Sequence, residues 1–275
     1  MNEPLETKNI YESEPAGLTP WILIRKLLLN NKFLCVVIAQ AVALLTSVIG
    51  IFTLRISLSE IISEFIMLAG ENLTEEAAAT LAQIQSMAGV IDSIFIGAMI
   101  IGLLPTIIVA VGCLLLYMGA KKDDPSTACN GALLFRILFT YHTVVCSLGI
   151  AFVVLCVVAL CAQMAELAVL GVILGIVIIV PLIIANTYYS KFAKMFKNLG
   201  KAIRTDINVL KVYSLVTVIN WISAICGLIS AAGSFDIGSI LSSISLILIT
   251  TMFNEYKDEM GDPTPENIEA AKSVK

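Results

Sequence analysis

A few uncharged polar side chains interrupt the apolar stretches of this chain, and their spacing places them on single helix faces. Gln40, His142 and Asn220 are the largest of them. Positions 40, 43, 47 and 50 are small or polar, and positions 220, 223, 227 and 230 repeat this spacing. Intervals of three and four residues put side chains on one face of a helix. The polar stripes therefore belong to the helix surfaces that meet other helices or a cavity.

Two kinds of chemistry fit these stripes, and the sequence leaves both open. In the first, small residues let helices approach, and each amide or hydroxyl forms an interhelical hydrogen bond worth roughly 0.6 to 2 kcal/mol. In the second, the stripes face a central polar cavity that binds a neutral or weakly charged small solute. The candidate cavity residues are Gln40, His142, Asn220, Ser47, Ser223 and Ser243.

The apolar stretches contain no Asp, Glu, Lys or Arg, and this absence limits the possible reactions. Proton-coupled transporters usually need such a group inside the membrane. Intramembrane hydrolases need a Ser/His pair or paired carboxylates, and the single histidine has no carboxylate in these stretches to orient it. The seven cysteines form no CxxC pair and have no histidine at metal-ligand spacing. We therefore expect a non-enzymatic protein without catalytic residues, metal or cofactor.

Composition determines which elements carry these residues. The 275 residues are 58% hydrophobic and 14% charged, with a mean hydropathy of +0.94, which is too apolar for a water-soluble domain. About 20 apolar residues in a helix cross a hydrocarbon core of about 30 Å, and the charge pattern does not favour nucleic-acid binding. The sequence predicts an all-α polytopic membrane protein with six transmembrane helices at about 33–54, 94–118, 137–162, 167–189, 212–232 and 237–253.

The distribution of basic residues predicts the orientation. Lys191, Lys194, Lys197 and Lys201 follow directly after the fourth span, and basic residues are retained on the cytoplasmic side of a membrane. With six spans, every lysine and arginine except Arg55 falls on that same side. We therefore expect a multi-pass protein of the cytoplasmic membrane with its N- and C-termini inside.

Several segments lie outside the predicted spans. Thr19 and Pro20 begin a short helix that is expected to lie in the inner interface or, alternatively, to extend the first span. Residues 56–93 are expected to form an external helical hairpin. Residues 190–204 predict an amphipathic helix lying flat on the membrane, with its four lysines contacting anionic lipid or a protein partner. Residues 1–18 and 254–275 are polar and predict flexible cytoplasmic tails.

The six spans read as three tandem hairpins, and each descending span begins beside an acid. These acids are Asp92, Glu166 and Asp236. One interpretation is that each carboxylate stabilises the positive end of a helix dipole. The other is an outer carboxylate cluster that attracts cations.

The run IGLLPTIIVAVGCLLLYMGAKK and the short helix before the first span resemble a family of six-span membrane proteins from Gram-positive bacteria. Members of that family often carry an N-terminal zinc ribbon, whose cysteines this chain lacks, and the resemblance implies no catalytic or binding residue. We expect a membrane subunit or scaffold that acts with partners. The alternative is a permease or channel component for a small solute or peptide, similar to the permease subunits of ABC-2 type exporters.

Overall fold

The computed structural model describes residues 18–53, 64, 67, 75–163, 168–234 and 237–274, and all regular structure within these ranges is helical. The helices are α1 (Pro20–Leu28), α2 (Asn31–Thr53), α3 (Glu75–Lys122), α4 (Pro125–Gln163), α5 (Ala168–Thr205), α6 (Ser214–Ser234), α7 (Ile237–Met260) and α8 (Pro265–Ser273).

Six of these helices contain stretches that are long and apolar enough to cross a bilayer. The stretches are Asn31–Gly50, Ile101–Lys122, Pro125–Ala162, Gly171–Thr205, Ser214–Ala231 and Ile237–Met260. They lie in α2 to α7, one in each helix. Within the described residues, the prediction of an all-α fold with six helices able to cross a membrane is therefore confirmed, and the protein is a polytopic membrane protein.

The short helix α1 is separate from α2 because each of the two helices begins with its own side-chain cap. The side chain of Thr19 accepts a hydrogen bond at 3.4 Å from the backbone N–H three residues later, and Pro20 lies in the first turn. After a turn, the side chain of Asn30 accepts a hydrogen bond at 3.1 Å from the backbone N–H of Lys32 in the first turn of α2. These caps support an elbow between α1 and α2 and not an extension of the first span.

The apolar face of α1 packs on protein. Leu23, Ile24 and Leu28 are buried, and α1 contacts α3, α5 and α7. This face is therefore covered by protein, and the location of α1 in the inner membrane interface stays a prediction. Packing between helix ends removes the same apolar area from water as lipid would, and it adds close contacts with neighbouring side chains.

Three helices exceed their predicted spans by more than ten residues. α5 is continuous through Tyr189, and its 38 residues extend roughly 57 Å, compared with about 30 Å for a bilayer core. The prediction of a separate, flat helix at 190–204 was therefore wrong. No glycine or proline at 186–192 ends the helix of the fourth span, so it continues through this segment. In the same way, residues 75–93 and the second span form one helix, α3. The helix of the third span, α4, already begins at Pro125. Most of residues 54–74, the other arm of the predicted external hairpin, lies outside the described residues.

The hydrophobic core lies at the end of the bundle where Lys32, Lys122, Arg136, Lys194 and Lys211 are found, called here the basic end. Side chains from α1 to α5, α7 and the segment 206–213 fill it, including Leu23, Phe33, Val36, Cys113, Leu116, Phe135, Phe196, Leu199, Leu210, Phe253 and Tyr256. Farther from this end, large side chains of α4 and α5 such as Phe152, Leu155 and Val177 are exposed. Exposed apolar helix surface of this kind faces lipid in a membrane protein.

The spans contact one another in a closed order. α2 packs on α3, α3 on α4, α4 on α5, α6 on α7 and α7 on α2, while α5 and α6 share a smaller contact. Between the proposed hairpins, the α3–α4 and α2–α7 contacts are comparable to the α2–α3 and α6–α7 contacts within them, whereas the α5–α6 contact is small. The grouping into three tandem hairpins therefore stays a prediction.

The C-terminal region is helical where a flexible tail was expected. α7 continues to Met260, and Thr264 caps the start of α8, in which Ala271 is fully buried. The amide of Asn208 donates to the carbonyl oxygen of Met260 at 3.0 Å and accepts from the hydroxyl of Tyr256 at 3.1 Å. The prediction of a flexible tail at 254–275 is therefore corrected, and residues 1–17 of the other predicted tail lie outside the described residues.

Candidate functional sites

Asn220 joins three spans through hydrogen bonds. Its side chain is only 1% exposed. The hydroxyl of Tyr188 in α5 donates to its Oδ1 at 2.6 Å, and its Nδ2 donates to Oγ1 of Thr250 in α7 at 2.9 Å. Thr250 donates its own proton to the carbonyl oxygen of Leu246 at 2.7 Å. Both the oxygen and the nitrogen of the amide are thus engaged in a contact between α5, α6 and α7, and Asn220 does not line the cavity described below.

His142 lies in a different helix contact from that of Asn220. Nδ1 of His142 lies 2.8 Å from the carbonyl oxygen of Leu138 in its own helix, and its ring is 5.0 Å from the ring of Tyr189. It therefore belongs to the contact between α4 and α5. Gln40 is buried on α2. None of the three residues lines the two polar cavities described below, and a shared cavity for them stays a prediction.

A cavity of about 430 Å³ does lie between α2, α3, α6 and α7, in the half of the bundle away from the basic end. Two of the predicted residues, Ser47 and Ser243, line it, whereas Ser223 is exposed on α6 outside it. The lining residues are Ala43, Thr46, Ser47, Thr106, Gly227, Gly238, Ser239, Ser242 and Ser243. The cavity wall thus consists of hydroxyl groups, small side chains and backbone, without a charged side chain among its described residues.

α1 is fastened to the bundle by two aspartates that sequence reasoning did not single out. Oδ1 of Asp206 accepts a hydrogen bond from the backbone N–H of Trp21 at 2.7 Å, and Oδ1 of Asp123 accepts from the indole Nε1 at 3.0 Å. The guanidinium of Arg25 lies 3.3 Å from the other oxygen of Asp123, and its Nε donates to the carbonyl oxygen of Ala120 at 2.9 Å. The carboxylate of Asp206 also lies at the positive N-terminal end of the α1 dipole.

The two aspartates occupy equivalent positions after helix ends. Asp123 follows α3 with φ 53° and Asp206 follows α5 with φ 52°, in the left-handed region. Aspartate is one of the few residues other than glycine that visit this region readily. The available sequence signal was a short acidic residue directly after a basic helix end, as in KKDD and IRTD.

Replacing Asp123 and Asp206 together with glycine will loosen α1 without straining the chain, because glycine adopts positive φ freely. The expected result is cleavage by trypsin after Lys26, which is exposed, at least several-fold faster than in the wild type. Mass spectrometry of the N-terminal fragment measures this rate. Asp262→Gly, in the exposed turn before α8, serves as the control, and equal cleavage rates in both variants would contradict the role of the two aspartates.

Asp124 starts α4 by a local cap. Its Oδ2 accepts a hydrogen bond from the hydroxyl of Thr127 at 2.6 Å, and its Oδ1 accepts one from the backbone N–H of Ser126 at 2.9 Å. These bonds hold the pKa of the Asp124 carboxyl below its usual range. The cap therefore stabilises the helix above the ordinary pKa of an aspartate, and this contribution is lost as the pH falls through the lowered value.

The four lysines after the fourth span do not form one surface. Lys194 and Lys197 are exposed, and both line a cleft of about 220 Å³ between α4 and α5. Nζ of Lys191 lies 5.8 Å from the centroid of the Tyr213 ring, within cation–π distance. Lys201 is half-buried. The structure thus separates two of the predicted lipid or partner contacts from the other two.

The predicted outer carboxylate cluster lies largely outside the described residues. Glu166 and Asp236 are outside them, and Asp92 lies in α3 with its side chain undescribed. Among the described side chains, no group of three or more histidines, cysteines, aspartates and glutamates is placed to hold a metal ion. The seven cysteines are free thiols.

Comparison with protein-family models, with curated proteins and with solved structures finds no match to this chain. Its site residues are therefore defined by their own contacts. The closed Tyr188–Asn220–Thr250 contact, the hydroxyl-lined cavity and the basic cleft are the three places where polar groups collect within the described part of the membrane-spanning bundle.

Proposed function

We propose that this protein is a non-enzymatic membrane subunit or scaffold of the cytoplasmic membrane that acts with protein partners. The observation that supports it best is the closed contact around Asn220. The most buried amide of the spans holds helices together and is not available to a solute. The interlocked basic end, where α1 and α8 pack against the helix ends, fits a rigid platform better than a moving gate.

In this proposal the basic end lies in the cytoplasm, together with both termini. Its support is the retention of lysine and arginine on the cytoplasmic side of membrane proteins. The helix ends that carry these residues also pack together into one core, so the basic side of the chain is one side of the molecule. A partner would then meet the protruding ends of α4 and α5, α8 and the exposed lysines.

The second candidate is a permease or channel component for a small uncharged solute. The hydroxyl-lined cavity favours it, because hydroxyl groups bind neutral polar molecules without the cost of burying a charge. The cavity lies between four spans and is separated from the basic end by buried residues such as Val36, Val216 and Phe253.

Solute flux into reconstituted vesicles separates the two functions. We expect vesicles containing the protein to shrink and recover in glycerol, urea or a hexose at the same rate as protein-free vesicles, measured by light scattering. A faster rate that Ser47→Leu/Ser242→Leu abolishes would contradict the scaffold and establish the permease. Ser147→Leu/Ser223→Leu is the matched control, because these two exposed serines lie outside the cavity.

A further inference from the structure

The cleft between α4 and α5 is lined by three basic residues and three hydroxyls at the basic end of the bundle. Its lining residues are Arg136, Thr140, Thr143, Ser190, Ala193, Lys194 and Lys197, and its volume is about 220 Å³. The sequence separates the two sides of the cleft by about 50 residues. The cleft therefore exists only because the extended ends of α4 and α5 pack side by side.

The positive charges of the cleft are not neutralised within the described part of the protein. Arg136, Lys194 and Lys197 are all exposed, and no acidic residue lines the cleft. The ion pairs of the described residues involve Arg25 and Lys32, which lie elsewhere. Three cations around one recess attract an anion much more strongly than they attract a neutral molecule.

The hydroxyl groups add a second requirement for the ligand. Oγ1 of Thr140 donates its proton to the carbonyl oxygen of Arg136 at 2.8 Å, and Oγ1 of Thr143 donates to that of Phe139 at 2.8 Å. Since a hydroxyl has only one proton, these two oxygens are left as acceptors. A ligand that uses the whole cleft carries an anionic group for the cations and hydroxyl donors for the threonines.

The order of these groups along the helices matches a lipid at a membrane surface. Arg136 and Lys197 lie farthest toward the basic end, and Thr143 and Ser190 lie one to two turns nearer the middle of the spans. Beyond Thr143, exposed apolar residues continue along α4 and α5, among them Val144, Leu148, Ile183 and Ile184. A phosphate at the cations would thus have its acyl chains directed along an apolar helix surface. A free phosphate would leave this surface unused.

We propose that the cleft binds the headgroup of an anionic, hydroxylated glycerophospholipid of the phosphatidylglycerol class in the leaflet at the basic end. Arg136, Lys194 and Lys197 hold its phosphate, and Thr140 and Thr143 accept hydrogen bonds from its headgroup hydroxyls. Basic pockets between membrane-spanning helices bind anionic headgroups in this way. The site rests on the proposed function only in assigning that leaflet to the cytoplasmic side.

Native mass spectrometry of the detergent-purified protein, titrated with phosphatidylglycerol, measures the dissociation constant. Arg136→Gln/Lys194→Gln/Lys197→Gln is expected to weaken binding by roughly 100-fold, at about fivefold for each cation near the phosphate. Lys121→Gln/Lys122→Gln/Lys211→Gln removes the same charge from exposed positions outside the cleft and is expected to change binding by less than about fivefold. Equal losses in the two triple variants would overturn the site.

Two further measurements identify the ligand. We expect that neither inorganic phosphate nor glycerol 1-phosphate displaces the lipid at a concentration equal to that of the lipid, because both lack acyl chains. Displacement at equal concentration would overturn the lipid assignment. Thr140→Val/Thr143→Val is expected to weaken phosphatidylglycerol several-fold more than phosphatidic acid, which lacks headgroup hydroxyls. Equal loss or no loss for the two lipids would overturn the role of the threonines.

Elution volume in size-exclusion chromatography checks that each variant is folded, and all three basic residues are exposed, so their loss leaves the core intact. The binding measurement needs neither a partner nor solute flux. Evidence against the scaffold function would therefore not contradict the lipid site. Failure of the protein to bind phosphatidylglycerol would likewise not contradict the scaffold function.

Discussion

Gly119→Ala will lower the stability of the folded bundle by about 2 kcal/mol, although alanine is the better helix former by about 1 kcal/mol. A Cβ atom at Gly119 would lie 2.4 Å from the backbone nitrogen of Ala128 and 2.9 Å from its Cα. Backbone atoms cannot rotate away as a long side chain does, so α3 and α4 must separate where they connect. The separation would open the core at Ala120 and Ala128, both fully buried.

The measurement is the temperature at which the detergent-purified protein loses its monodisperse peak in fluorescence-detected size-exclusion chromatography. Gly119→Ala is expected to lower it by several degrees. Gly102→Ala, in the same helix, is the matched control, because nothing lies within 4 Å of a Cβ placed there. That variant is expected to be unchanged or slightly more stable, and a Gly119 variant that behaves in the same way would disprove the close approach of α3 and α4.

Asn220→Leu will destabilise the assembly of α5, α6 and α7 by roughly 1–3 kcal/mol, since it leaves the half-buried Tyr188 without the acceptor of its hydroxyl. Leucine has a similar size, so the loss is of hydrogen bonds and not of volume. The variant is expected to show a lower melting temperature in detergent and reduced accumulation in membranes. Asn186→Leu is the control, because its Oδ1 receives only a long hydrogen bond from Ser147, at 3.5 Å.

A double-mutant cycle with Tyr188→Phe isolates the contact. Removing both partners leaves no orphaned group from this pair, so the double variant is expected to lose less stability than the sum of the two single variants, by about 0.6 to 1.7 kcal/mol. Strict additivity would show that the 2.6 Å bond does not contribute to assembly. Wild-type stability in Asn220→Leu, combined with altered solute flux, would return Asn220 to the permease interpretation.

The pattern of small and polar residues left open whether Asn220 meets another helix or a cavity, and it did not identify the partners. Tyr188 and Thr250 lie 32 and 30 residues away in sequence. An amide on a stripe of small residues meets either a cavity or another helix with the same spacing. Only the positions of α5 and α7 decide between these outcomes, and the same uncertainty affected Ser47 and Ser243, which do line a cavity.

The segment 190–204 shows the corresponding uncertainty for an apolar face. Phe192, Met195, Phe196 and Leu199 recur at helical spacing on one face, and all four are buried. The covering surface was expected to be lipid and is in fact α4, α1 and the segment before α6. Stacked rings illustrate the difference: Phe196 lies 4.6 Å from Phe135 and Phe192 lies 4.2 Å from Phe139, centroid to centroid.

The amino-acid sequence by itself determined that six helices cross a membrane and that basic residues collect at one end. Transfer of each side chain from water to lipid is a local property that adds along a helix, so composition is enough to predict it. The tertiary structure decided which neighbour covers each face: α1 docking on Asp123 and Asp206, Asn220 between Tyr188 and Thr250, and the basic cleft between α4 and α5. Those outcomes depend on contacts between residues far apart in the chain. The same periodic sequence pattern is compatible with a helix face covered by lipid, a face that lines a cavity and a face packed on protein.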